Sequence, residues 1–172
     1  MSAKVYLLDI DDWEEYGFTN TNIDSKKLKA IILRVQRTFI EPVLGTTLYD
    51  KMIADAPNYT GLYKTLMEDY LNDTILAYAD WKATFHTTNQ ITNKTTGKNK
   101  DEHIESNTTE ENNNLRDELL QDARQFEKKM IGWLKDNFED IPELCDVPED
   151  KIHQSIRPAN NNPDYNHRIG IV

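Results

Sequence analysis

The sequence has little of several features that commonly define a function. Its single cysteine, Cys145, excludes an internal disulfide and fits a reducing compartment. No apolar run approaches the roughly 20 residues of a membrane span, and the amino-terminal MSAKVYLLDIDD turns acidic too early for a secretory signal. Lys and Arg total 20 against 30 Asp and Glu, and the net charge of −10 argues against a protein that grips a nucleic-acid backbone. We therefore expect a protein that is made in a cytoplasm and has no membrane segment.

Residues that would carry catalysis are also scarce. Ser and Cys nucleophile motifs are absent, and the four histidines lie in or beside predicted loops without metal-ligand spacing. Asp69 and Asp73 lie one turn apart on a predicted helix, where paired carboxylates can bind a metal or act as acid and base. We favour a solvated helix face over a metal-dependent nuclease or phosphatase as their interpretation. The sequence thus predicts a protein that is not an enzyme and that has no metal and no cofactor.

The most informative pattern predicts two helices joined at a corner. Asp24 can cap the first helix, residues 24–44, because its carboxylate accepts backbone N–H groups that have no intrahelical partner. Pro42 removes a backbone donor near the end of this helix, and Gly45 can take the left-handed conformation that closes it. A short corner helix over residues 46–55 follows. The apolar stripe of the first helix consists of Leu28, Ile31, Ile32, Val35, Phe39 and Val43.

Two further long helices follow from the same periodicity. Residues 61–85 carry apolar side chains over much of the helix circumference, which is typical of a helix that is central to a bundle. Residues 108–138 carry a narrower apolar stripe. Together these patterns predict an all-α fold, an antiparallel helical bundle of about three long helices plus a short corner helix.

Two segments interrupt or follow this bundle. Residues 86–110 lack helical periodicity and predict a polar β-hairpin or loop insertion that reaches outside the domain. Residues 139–172 contain four of the six prolines and predict an extended C-terminal arm. We therefore divide the chain into a helical domain, residues 1–138 with the insertion, and an arm, residues 139–172.

Charge is segregated along the chain. Residues 9–15 carry five acids and no base, and residues 139–150 carry six more acids. The first helix, in contrast, is basic. A chain with separate acidic and basic surfaces favours head-to-tail association between copies, which closes into a ring when the rotation permits. The alternative is that these charges meet within one subunit or are merely solvated. The basic side chains of the first helix are Lys26, Lys27, Lys29, Arg34 and Arg37.

Aromatic side chains among these charges are typical anchors of protein interfaces, although core packing explains some of them. Residues 169–172 are apolar after a polar segment, and they can add to a neighbour's sheet edge or plug a groove, with disorder as the alternative. The predicted subunit-interface residues are Asp11, Asp12, Trp13, Tyr16, Lys26, Lys27, Arg34, Arg37 and Tyr63.

Short motifs in the first two helices carry a resemblance to a known family. They are Asn22-Ile23-Asp24, the basic helix, Gln36, Pro42, Leu44-Gly45 and Leu48-Tyr49, followed by Ile91-Thr92-Asn93-Lys94, Ala123, Phe126 and Trp133-Leu134. With these motifs the chain resembles the head–tail connector proteins (neck-ring or adaptor proteins) of tailed bacteriophages, closest to those of crAss-like and other Bacteroides phages. The resemblance covers about residues 5–138. The chain departs from it in a longer polar insertion and in the tail after Asp140.

The resemblance implies a structural virion protein at the head–tail junction, made in the cytoplasm of a bacterial host. Such a protein forms a homo-oligomeric ring, commonly of twelve copies, that binds the portal protein and other neck or tail proteins. Double-stranded DNA passes through the ring as cargo. A soluble helical interaction or regulatory protein, acting as a monomer or dimer, is the alternative. The predicted contacts between rings are Ile91, Lys94, Lys98, Ile104, Ile169, Ile171 and Val172.

Overall fold

The structure, a computed structural model, describes residues 5–18, 24–88, 90–91, 96–97 and 109–145, and these are predominantly helical, as the sequence predicts. The α-helices are α1 (Ile10–Tyr16), α2 (Ser25–Val35), α3 (Glu41–Asp55), α4 (Gly61–Leu66), α5 (Asn72–Thr88), α6 (Thr109–Asp136) and α7 (Pro142–Cys145). Two π-helical turns, Gln36–Ile40 and Met67–Leu71, join α2 to α3 and α4 to α5, and a 3₁₀ turn, Phe138–Asp140, follows α6.

The beginning of α2 has the predicted cap. The Asp24 carboxylate accepts the backbone N–H of Lys26 at 2.7 Å, and the Asp24 carbonyl accepts those of Lys27 and Leu28. These bonds satisfy donors that a helix start leaves free. The predicted apolar stripe faces the core, with Phe39 partly buried and the other members fully buried.

The corner lies at Gly45, as predicted, but its backbone conformation differs from the expected one. Gly45 has φ 75° and ψ 157°, which is outside the left-handed helical region and in a region that essentially only glycine occupies. Before it, the chain stays helical through Pro42. Pro42 has no N–H to donate to the carbonyl four residues earlier, so one helical hydrogen bond is missing there. The π-helical turn, which is wider than an α-helical turn, lies directly before α3 at this point.

The helices α5 and α6 pack side by side and run antiparallel. The ring of Tyr70, just before α5, lies 5.3 Å from that of Trp133 near the end of α6. Phe85, near the end of α5, lies 4.5 Å from the guanidinium of Arg116 near the beginning of α6. Because α5 also contacts α2, it has neighbours on two sides, as expected from its wide apolar circumference.

The prediction that the chain is extended from residue 139 is wrong for the first residues of that segment. Ile141 and Leu144 are each 1% exposed and belong to the core, and α7 packs against α3. The physical reason is the position of Pro142, the first residue of α7. A proline there starts a helix, because the N–H that it lacks would have had no intrahelical partner.

Part of the predicted insertion pairs as two very short strands. β1 (Gln90–Ile91) and β2 (Thr96–Gly97) are antiparallel, with Gln90 opposite Gly97 and Ile91 opposite Thr96. The α-helices take residues at both ends of the predicted insertion, since α5 continues to Thr88 and α6 begins at Thr109. Among the helices of the described ranges, none combines the length and the apolar character that a bilayer crossing demands.

Candidate subunit interfaces

An acidic and aromatic surface lies on α1 and just after it. Asp11, Asp12 and Glu15 are exposed, and Tyr16 and Phe18 are 67% and 70% exposed. Hydrogen bonding to Glu15, together with the negative charge of that carboxylate, raises the pKa of the Tyr16 hydroxyl. We call these five residues the acidic surface. Exposed aromatic rings beside charged groups are the composition that protein interfaces favour for their anchors.

Asp80 on α5 holds the acidic surface in place. Its side chain is buried, and the carboxylate accepts the indole N–H of Trp13 and the backbone N–H of Phe18, both at 2.9 Å. A buried carboxylate requires such donors, and hydrogen bonds to a charged group are strong. These two bonds fix α1 and the residues after it on the helical body, with Tyr16 and Phe18 facing outwards.

Trp13 itself is not part of this surface, although the sequence predicts it as an interface anchor. It is 1% exposed and belongs to the core. Two contacts explain the difference. The indole N–H reaches Asp80, and Gly17 lets the chain pass close to the ring, since a Cβ at that position would collide with Trp13.

A second buried polar side chain, Gln36 in the first π-helical turn, holds the residues before α1. Its Oε1 accepts the backbone N–H of Leu7 at 3.1 Å. Its Nε2 donates to the Tyr49 hydroxyl at 3.3 Å and to the Val5 carbonyl at 3.5 Å. Because these bonds satisfy backbone groups that would otherwise be buried without partners, Leu7 and its neighbour Leu8 can join the core.

The exposed cations of α2 and the turn after it form a second surface, which we call the basic surface. Lys26, Lys27, Arg34 and Arg37 are exposed there, while the apolar stripe of the same helix is buried. The ion pairs among the described residues are Lys51–Asp55 and Lys64–Glu68, each between residues one turn apart. The basic surface is therefore not paired with the acidic surface of its own chain.

An aromatic cluster lies next to the basic surface. Phe39 and Tyr78 stack with their ring centres 4.3 Å apart, and Trp81 meets Phe39 edge-on at 5.9 Å. The Lys82 ammonium lies 4.4 Å from the Trp81 ring centre and 5.4 Å from that of Phe39. Burial and the nearby charge of Arg34 lower the pKa of Lys82. The ring faces supply an attraction for this cation.

The cluster continues along α5 to the point where the insertion begins. Phe85 is 41% exposed and meets Trp81 edge-on at 5.6 Å. The guanidinium of Arg116 lies over the Phe85 ring, and its Nε and Nη2 atoms are buried without a hydrogen-bond partner among the described residues. The cation–π contact offsets part of the cost of burying these donors.

Tyr63, another predicted interface residue, makes its polar contacts within the chain. Its hydroxyl donates to Glu143 at 2.6 Å, and the Lys51 ammonium lies 5.4 Å from its ring. Burial and the hydrogen bond to the Glu143 carboxylate raise the pKa of Tyr63 to about 12. Tyr63 therefore ties α7 to α4.

Of the predicted contacts between rings, Ile91 lies in β1. The others, Lys94, Lys98, Ile104, Ile169, Ile171 and Val172, lie outside the described residues.

The carboxylates considered for catalysis lie at exposed positions of the helices. Asp69 and Asp73 are both exposed, the first in the π-helical turn before α5 and the second in its first turn. Within the part of the chain that the structure describes, no three His, Cys, Asp or Glu side chains are placed to hold a metal ion.

Two buried side chains that hold the amino-terminal segment, Asp80 and Gln36, differ in how well the sequence indicates them. Asp80 is not among the predicted site residues, and Gln36 enters only through the resemblance. The sequence does offer a sign that Asp80 is buried. It lies between Ala79 and Trp81, within the wide apolar circumference of α5. An acid in such a position has to find buried donors. Trp13, with one N–H on an otherwise apolar ring, supplies one of them.

Comparison with known proteins finds one family. Residues 40–151 match DUF6712, which is described as a family of unknown function. No curated protein and no solved structure matches the chain. The match runs from the end of the first π-helical turn to beyond α7, so it includes Asp80 but not the acidic surface.

Proposed function

This chain belongs to DUF6712, a family of unknown function, and we propose that it is a structural subunit of a ring in the neck of a tailed bacteriophage. Copies of the chain join the portal of the capsid to the tail and leave a channel through which double-stranded DNA passes. The ring contains about twelve copies by the resemblance of the sequence to head–tail connectors. The protein is then a virion component that is synthesised in the host cytoplasm.

The observation that carries this proposal is the separation of charge on one helical body. The acidic surface and the basic surface are both exposed, and both ion pairs of the described residues lie elsewhere. A surface of one sign that makes no ion pair with the other described residues favours a neighbour that presents the opposite sign. Two different surfaces on each copy give head-to-tail contacts, which can close into a ring.

The aromatic side chains at these surfaces supply the apolar part of the contact. Tyr16 and Phe18 project from the acidic surface, and Phe85 is exposed at the end of the cluster beside the basic surface. Aromatic anchors surrounded by charged groups are the common arrangement at protein interfaces, where the buried centre contributes more to affinity than the rim. In the ring, Tyr16 and Phe18 of one copy pack beside the aromatic cluster of the next.

The finer architecture belongs to the same proposal. The body is an antiparallel bundle of about three long helices plus the corner helix. Residues 89–108, flanked by α5 and α6, project as a polar hairpin that contacts an adjacent ring through Ile91, Lys94, Lys98 and Ile104. In the assembled neck, the arm that follows α7 reaches an adjacent ring through Ile169, Ile171 and Val172.

A charge-swap experiment tests the ring. Asp11→Lys with Asp12→Lys reverses the acidic surface, and Arg34→Glu with Arg37→Glu reverses the basic surface; all four side chains are exposed, so the fold is retained. Each double variant should fail to assemble on the portal, and the chain with all four changes should assemble again, because opposite charges then face each other once more. Mass photometry of the chain mixed with the purified portal protein measures this.

The matched control for the acidic surface is Asp117→Lys with Glu118→Lys. It makes the same charge change as Asp11→Lys with Asp12→Lys, at two exposed positions of α6. This variant should assemble like the original chain. A chain that stays a monomer or dimer with the portal, and that electron cryomicroscopy of virions does not find at the neck, would contradict the proposal. That result would favour a soluble interaction or regulatory protein instead.

A further inference from the structure

A groove of about 500 Å³ lies between the amino-terminal segment and the second π-helical turn. Leu7, Leu8 and Ile10 contribute apolar side chains from one side, and Met67 contributes another from the opposite side. The volume is in the range of sites that bind small ligands or short peptide segments. The sequence-based predictions do not include this groove. It borders the acidic surface, since Asp12 belongs to both.

Two residues that line the groove carry polar atoms without partners. The hydroxyl of Tyr59 and the Oδ1 of Asn72 are buried and have no hydrogen-bond partner among the described residues. Leaving such atoms unpaired costs about 1–3 kcal/mol each, and native proteins rarely do so. A rotation of these side chains towards the groove would let an extended peptide satisfy both, since its backbone N–H donates to a side-chain oxygen and its carbonyl accepts from a hydroxyl.

The charges at the groove favour an occupant that carries a cation. Three acids line it, namely Asp9, Asp12 and Glu68, and one base, Lys29. Residues 165–172, Tyr-Asn-His-Arg-Ile-Gly-Ile-Val, contain one Arg and no acid. In an extended segment Ile169 and Ile171 lie on the same side, because successive side chains alternate.

The described part of the chain ends close to this groove. Glu143 accepts a hydrogen bond from Tyr63, which lies one helical turn before Met67 in the groove. Residues 146–172 continue from there. At about 3.3 Å per extended residue they span far more than this short separation. A tethered segment also has a high effective concentration at a site that it can reach, which favours binding within the chain.

We propose that residues 165–172 occupy this groove on their own chain, with Ile169 and Ile171 against its apolar side chains and Arg168 beside its acids. The backbone of the segment bonds to Tyr59 and Asn72. This inference concerns the isolated subunit. In the ring, Asp12 and the end of the arm make the contacts that are proposed above.

Peptide binding to two forms of the protein tests the inference. The probe is a fluorescein-labelled peptide of residues 165–172, and its anisotropy is followed with the full chain and with a chain that ends at residue 164. The shortened chain should bind the peptide saturably, and the full chain at least tenfold more weakly, because its own segment competes. Asp12→Lys with Glu68→Lys in the shortened chain should weaken binding about tenfold.

The matched control is Asp50→Lys with Asp117→Lys, two exposed acids outside the groove, which should leave the affinity unchanged. Equal binding by the full and the shortened chain, or no binding by the shortened chain, overturns the inference. A peptide of scrambled sequence that binds as tightly does the same. If removing residues 165–172 instead lowers the oligomeric state of the protein, the segment acts between copies and binding within the chain is excluded.

Discussion

The two segments that flank the helical body are held to it by different forces. Before α2, buried polar side chains hold the chain, since Asp80 bonds to Trp13 and Phe18, and Gln36 bonds to Leu7. After α6, apolar side chains dominate: Ile141 and Leu144 enter the core, and the polar contact between Tyr63 and Glu143 is only half-buried.

The difference shows what each attachment can specify. A hydrogen bond to a buried side chain is satisfied in one position only, so it fixes the rotation of α1 and hence the direction of Tyr16 and Phe18. Apolar burial is not directional, and it stabilises α7 without aiming an exposed side chain at a neighbour. The segment that carries the acidic surface is therefore the one with the stricter attachment.

The largest effect is expected from Trp13→Ala, which removes a core side chain and one donor to Asp80. We expect a loss of about 4 kcal/mol in the free energy of unfolding, as for other buried aromatic side chains. Urea unfolding followed by circular dichroism measures it. Trp13→Phe keeps much of the ring and should cost less, about 2 kcal/mol, because a buried carboxylate oxygen loses its donor. If Trp13→Phe is as stable as the original chain, the bond to Asp80 contributes nothing.

In the segment after α6, Leu144→Ala should lower the free energy of unfolding by about 3 kcal/mol, because apolar burial is lost and a cavity remains. The attachment of α1 should not change, since α7 packs mainly against α3 and the 3₁₀ turn. Hydrogen exchange should therefore show faster exchange in residues 138–145 and unchanged protection at Trp13 and Phe18. Faster exchange in both segments would mean that the two attachments are coupled.

Gln36→Ala should cost about 2 kcal/mol, because the Leu7 N–H and the Tyr49 hydroxyl lose a buried partner. Gln36→Leu keeps the volume but not the bonds, so it separates the polar effect from the cavity. Denaturation of both variants should give similar losses. If Gln36→Leu is as stable as the original chain, the amino-terminal segment is held by its apolar side chains alone.

The smallest effect is expected from Tyr63→Phe, about 1 kcal/mol at neutral pH. This variant should also change how the free energy of unfolding depends on pH in the alkaline range. The pKa of Tyr63 is about 12 in the folded chain and about 10 when unfolded, so its contribution is complete below pH 10 and is lost as pH rises towards 12. Between pH 9 and pH 12 the free energy of unfolding should fall less steeply for Tyr63→Phe than for the original chain. An unchanged slope would show that Tyr63 does not titrate in this range.

How much the sequence predicts depends on the range over which its signals act. The cap at Asp24, the apolar stripe of α2 and the corner at Gly45 follow from neighbouring residues, and all three are present. The burial of Trp13 does not follow in this way, because its partner Asp80 is 67 residues away. The helical turn at Pro142 depends on the core contacts of Ile141 and Leu144, which proline frequency alone does not reveal.

The two π-helical turns bear on how relatives of this chain should be aligned. Such a turn holds about one residue more than an α-helical turn, so the same stretch of regular α-helix would be one residue shorter. A relative that lacks either extra residue should therefore show a gap of one position within Gln36–Ile40 or Met67–Leu71. Placing that gap elsewhere would assign core residues of one protein to the solvent side of another.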